Sequence, residues 1–117
     1  VMMAYHIFIS HGTDSGIFFL DEYLGSAVSV DFYWESVGRK LNLPIISSFT
    51  ASADYDDGFT LFGDDLVAFK NEIDVFETYW IEESEKKHLP KDFLERVKII
   101  KEGVGKAIVD GLTLMIA

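Results

Sequence analysis

The sequence predicts a single α+β domain over residues 1–117: a mixed or antiparallel sheet of about four to five strands, with two long helices and one shorter helix packed on one face. Three observations predict it. The chain has 117 residues, the length of one domain. Hydrophobic residues make up 49% and aromatic residues 15%, which supplies a core without a staple, and there is no cysteine to form one. Short β-prone runs bounded by Gly, Pro and Asp alternate with stretches whose apolar residues recur at helical spacing.

The elements follow in order. Residues 5–10, Y-H-I-F-I-S, alternate and are rich in β-formers, so they read as a first strand. His11 to Gly16 form a turn, and residues 17–24 fit either a second strand or a short helix closed by Gly25-Ser26. Asp31 is a candidate N-cap for a helix over residues 31–41, with Arg39 and Lys40 suited to its C-terminal end and Pro44 beyond it. Residues 45–49 read as a strand, Asp57-Gly58 as a tight turn, and Phe59-Thr60-Leu61 as a short extended segment.

Gly63-Asp64-Asp65 opens the clearest helix, because Leu66, Phe69, Ile73, Phe76 and Trp80 form one narrow apolar stripe. Pro90 is expected in an early position of a second long helix, whose inner face carries Phe93, Val97, Ile100, Val104 and Ile108. Within it, Gly103 and Gly105 read as sites of close packing. Gly111 is a natural terminator, and residues 112–117 read as a final strand in the centre of the sheet.

Charge narrows the function. The net charge is −10, and it is uneven: through Glu85 there are 16 acids and 3 bases, whereas from Lys86 onward there are 4 acids and 7 bases. Residues 50–85 alone hold 11 acids against Lys70. Such a surface repels phosphate backbones and anionic lipids, so neither nucleic acid nor membrane is an expected partner. A basic protein is the charged partner it suits. The aromatic content also leaves a self-associating domain, a homo-oligomer, as an alternative. The absence of cysteine removes thiolate chemistry and cysteine zinc sites and suits a cytoplasmic location. No secretory leader is expected at Val1-Met2-Met3, which lacks a basic stretch and a small-residue cleavage site.

Candidate chemistry is sparse, and no cofactor or metal is implied. His11-Gly12-Thr13-Asp14 resembles the H-G-T-D segment of asparaginases, a resemblance that would give Thr13 and Asp14 roles in binding and activating an amide. The glycine-rich first motif of that family, with its nucleophilic threonine, has no counterpart here. A small hydrolase using His11 and Asp14 stands as an alternative function, although His11, Asp14 and Ser15 lie too close in sequence to converge as a triad. Asp54, Asp56 and Asp57 have oxygen ligands near calcium-loop spacing, but counting from Asp54 puts Phe59 where the loop needs Gly. The acidic helix has more content. Asp65 and Glu72 are expected on one flank near Tyr79, with Asp74 and Glu77 projecting on the other. With Asp54, Tyr55, Asp56 and Asp57, these would form a negative face studded with tyrosine, on which acids steer a basic partner and aromatics anchor it.

The stretch over residues 45–73, I-I-S-S-F-T-A-S-A-D-Y-D-D-G-F-T-L-F-G-D-D-L-V-A-F-K-N-E-I, resembles the central segment of small bacterial immunity proteins that neutralise polymorphic toxins. That resemblance implies a non-enzymatic binding protein blocking a basic toxin domain. It places Asp54, Asp56, Asp57 and Gly58 in a turn, and Asp64 and Asp65 at a helix start.

Overall fold

Alternation of apolar side chains sets the sheet. The computed structural model describes residues 4–10, 18–51, 59–90 and 92–117. Strands β1 (Ala4–Ser10), β2 (Phe18–Ser26), β3 (Phe59–Leu61) and β4 (Thr113–Ile116) form one antiparallel sheet in the order β2-β1-β4-β3. Tyr5, Ile7 and Ile9 of β1 and Leu114 and Ile116 of β4 are buried, while His6, Phe8, Thr113 and Met115 between them are only partly covered. This is the two-residue period of a strand with one face on the core. The ambiguous second segment is therefore a strand. β4 is internal as expected, and β1 is internal too, because it pairs with β2 and β4 on its two sides. Tyr5 pairs with Gly25 and His6 with Tyr23, so Leu24 is an extra residue in β2. Gly25 takes φ +141° there, a conformation open to glycine.

The shorter helix, α1, begins one turn before the expected N-cap. It runs through Ala27–Val30, a π-helical segment Asp31–Glu35, and Ser36–Leu41. Ser26 is its cap, with Oγ accepting from the Ser29 N–H at 3.2 Å. Asp31 instead opens the π segment, where the Ser36 N–H reaches back five residues to its carbonyl. Asn42, at φ 58°, ends the helix.

Residues 45–49 do not form a strand. Ile46–Ser48 is a 3₁₀ turn, and the Ser47 and Ser48 hydroxyls donate to the Pro44 carbonyl at 3.1 and 2.8 Å. Gly38 makes room for it. A methyl carbon there would lie 2.7 Å from the Ser47 nitrogen.

Helix α2 (Asp64–Ser84) buries its whole expected stripe of Leu66, Phe69, Ile73, Phe76 and Trp80. Helix α3 (Phe93–Asp110) buries Phe93, Val97, Ile100 and Val104. Ala107 joins them, whereas Ile108 is only partly covered. Pro90 precedes α3 rather than entering it. Asp92, at φ 65°, occupies the N-cap position without a side-chain capping bond, and the Phe93 N–H donates back to the Pro90 carbonyl at 3.2 Å. Gly111 ends α3 in the left-handed region as expected. Gly103 lies against the sheet, where an added methyl would meet Ile9 at 3.1 Å, but Gly105 faces open space. The helices meet over an aromatic core in which Trp34 stacks on Phe76 at 4.4 Å and Trp80 meets Phe93 edge-on at 5.4 Å. No helix among the described residues is long and apolar enough to cross a membrane.

Candidate protein-binding surface

Helix α2 was expected to display its acids, yet its central acids serve the fold. Glu72 is 8% exposed. Its carboxylate accepts from the Ile45 N–H at 3.1 Å and the Ile46 N–H at 3.0 Å. Those are the first donors of the 3₁₀ turn, which has no cap of its own. A buried carboxylate needs such donors, and unpaired N–H groups at a helix start need an acceptor, so each satisfies the other. Glu72 is thus corrected from a partner-facing residue to an internal cap.

On the opposite flank, Asp74 and Glu77 do not project freely. Lys101 of α3 lies 3.2 Å from Asp74 and 2.9 Å from Glu77. The Glu77 hydrogen bond, then the Asp74 hydrogen bond, hold its ammonium above the ordinary lysine pKa despite an opposing effect of burial. Lys70 adds a contact to Asp74 at 3.5 Å. Lys70, Glu77, Lys98, Lys101, Glu102 and Gly105 line an open groove of about 400 Å³ between the helices, in which ammonium and carboxylate groups are interleaved.

Tyr79 is half-buried and already engaged. The Lys40 ammonium donates to its hydroxyl at 3.4 Å and sits 5.1 Å from its ring centre. The structure does not unite it with Asp65, which stands exposed in the first turn of α2. Asp54, Tyr55, Asp56, Asp57 and Gly58, like His11, Gly12, Thr13, Asp14 and Ser15, lie outside the described residues.

What the first turn of α2 does assemble is a mixed patch. Phe62 is 67% exposed and Val67 45% exposed, and between them stand Asp64 and Asp65. Neither carboxylate has a hydrogen-bonding or ionic partner among the described residues. Gly63, at φ +60°, turns the chain sharply from β3 into the helix. Phe62 was not among the candidates read from the sequence. Its signal was a broken alternation: Leu61 is buried, and Phe62 follows it directly before a glycine and two acids.

The open face of the sheet carries a second polar constellation. His6 Nδ1 lies 3.0 Å from Asp21 Oδ1, with Phe8 stacked at 5.6 Å and Tyr23 edge-on at 5.3 Å. Among the described residues the His6 ring hydrogen-bonds to Asp21 alone, so no nucleophile completes a relay there. Nor does any group of three potential metal ligands gather among them.

Fold and surface together define a small α+β domain with a four-stranded antiparallel sheet, in which Phe62 stands exposed beside two acids that have no partner among the described residues. Compared with known proteins, the chain matches no family model, no curated protein and no solved structure.

Proposed function

We propose that this chain is a non-enzymatic acidic binding protein that captures a basic protein partner, as a small immunity protein captures a toxin domain. The observation that carries the reading is Phe62, exposed beside Asp64 and Asp65, which have no partner among the described residues. A large apolar side chain left in water loses free energy that a partner's pocket would return, about 1.5–3 kcal/mol for full burial. Acids around it raise the encounter rate with a positive surface and discriminate against negative ones. The net charge of −10 acts in the same direction at longer range. Glu72 and Tyr79 take no part in this version of the surface, because the fold already engages them.

The test is binding to the protein encoded beside this chain's gene, measured at low and moderate salt. Reversing both acids, Asp64→Lys with Asp65→Lys, is expected to slow association about tenfold at low salt and to flatten its salt dependence. Phe62→Ala should instead speed dissociation about tenfold or more. A complex whose rates ignore both changes, or no complex at all, would overturn the reading.

A further inference from the structure

We propose that the outer edge of β3 is a strand-addition site that takes an extended, basic segment of the partner. This rests on the reading of the chain as an acidic capture protein, and it names the form in which the partner is held. Backbone geometry puts the site there. His6 and Ala117 exchange both of their backbone hydrogen bonds, at 2.7 and 3.1 Å. In an antiparallel ladder such pairs recur at every second residue, so Phe8 with Met115 is the next one. Leu114 and Ile116 therefore turn their N–H and C=O groups the other way, toward β3, where they pair with Leu61 and Phe59. Phe59 and Leu61 direct their backbone groups to β4, which leaves the Thr60 N–H and C=O pointing out of the sheet. β3 ends the sheet, and no described residue bonds to that pair. An outward N–H and C=O on an edge strand are a template for one more strand.

Side chains and charge identify the occupant. Thr60 and Phe62 are exposed and Leu61 between them is buried, so the alternation of the strand runs one residue past its end and leaves Phe62 beside the open edge. Asp64 and Asp65 follow, exposed and with no partner among the described residues. A segment lying along β3 thus meets backbone groups, then an aromatic side chain, then two carboxylates that a lysine or arginine of the segment can pair. A second copy of this chain would bring further acids to the same edge, against the mutual repulsion of two molecules of net charge −10. The opposite edge is guarded. β2 has register shifts near both ends of its pairing with β1 and carries Asp21 and Glu22 in its middle, whereas β3 pairs without a shift and holds no charged residue.

The probe is a capped peptide of alternating lysine and valine, about six residues long, titrated into the whole chain at low salt and followed by amide NMR. It is expected to bind with a dissociation constant of about 0.1–1 mM and to slow exchange of the Thr60 amide about tenfold. Methylating one of its two alternate sets of peptide nitrogens should weaken it about tenfold, and a glutamate-valine peptide should not bind. Thr60→Pro removes the outward N–H without touching the β4 ladder, so it should weaken the probe about tenfold at an unchanged unfolding midpoint, whereas Thr60→Val should bind like the parent. No binding at about 1 mM, full affinity with either set of nitrogens methylated, or equal binding of the glutamate peptide would overturn the proposal. So would a parent chain that dimerises in sedimentation while Thr60→Pro does not, since the occupant is then a second copy. Failure here is separable from failure of the capture reading. A partner whose release is speeded by Phe62→Ala but not by Thr60→Pro removes strand addition alone, and a probe that binds as expected where no partner complex forms removes the capture reading alone.

Discussion

In the middle of α2, Glu72 lies buried against two backbone N–H groups, whereas at the start of the same helix Asp64 and Asp65 stand exposed, with no partner among the described residues. The side chains are alike and the spacing along the helix is regular, yet one acid completes a fold and the others are free to meet a partner. The difference lies in what packs alongside. The chain over residues 45–48 crosses α2 near Glu72, and α3 crosses near Asp74 and Glu77, but no described element carries a base to Asp64 or Asp65. Acidity counted along a sequence thus mixes charges spent inside the molecule with charges available outside it.

The strongest way to break this comparison is Glu72→Ala. It leaves two N–H groups of the 3₁₀ turn without their acceptor, and stability to denaturant is expected to fall by about 3 kcal/mol. Glu72→Gln, which keeps an acceptor oxygen, should recover part of that loss. An unchanged midpoint for Glu72→Ala would mean that the acid is as dispensable as those at the helix start.

Gly38→Ala probes the same turn from its other side. Alanine gains about 1 kcal/mol in helix propensity, but its methyl would press on the Ser47 nitrogen, a backbone atom that cannot swing away. A net loss of about 2 kcal/mol is expected. Gly105→Ala, where the methyl meets nothing within 4 Å, should show the propensity gain alone.

Lys101→Met should cost less, about 0.5–1 kcal/mol, because its pairs with Asp74 and Glu77 are partly open to water. Its pH dependence has a defined sign. The folded ammonium is held above the ordinary lysine value, so its contribution is complete below that value. As pH rises through the higher folded pKa the contribution is lost, and the two unfolding curves should converge in strong alkali. The smallest effect belongs to Asp64→Asn or Asp65→Asn made singly, about 0.3 kcal/mol for the lost interaction with the helix N-terminus. A much larger loss would show that these acids also serve the fold.

The two long helices were legible because their apolar stripes repeat over many turns, and the register of Leu66 to Trp80 is the one observed. The short segments were not. Ser26 and Asp31 are both good caps, and only the bulge that ends β2 at Gly25 decides between them. Residues 45–49 have strand-like composition, but Glu72 and Gly38, both distant in sequence, give them a capped turn instead. On the surface, Asp65 was read correctly as exposed, while Glu72 and Tyr79 were not separable from it by spacing. The helix has a wide boundary between core and solvent, and neighbours decide where that boundary falls.

By itself, then, the sequence determined the α+β class, the buried stripes of α2 and α3, the central place of β4 and the overall negative charge. Those follow from periodicity and composition, which act locally and repeat. Only the tertiary structure decided that β1 is an inner strand, that Glu72 is a cap, that Lys101 holds Asp74 and Glu77, and that Phe62 and Phe32 are left in solvent. Each of these depends on a single contact, made or missing, between segments far apart in the chain, and a contact of that kind leaves no period for the sequence to display.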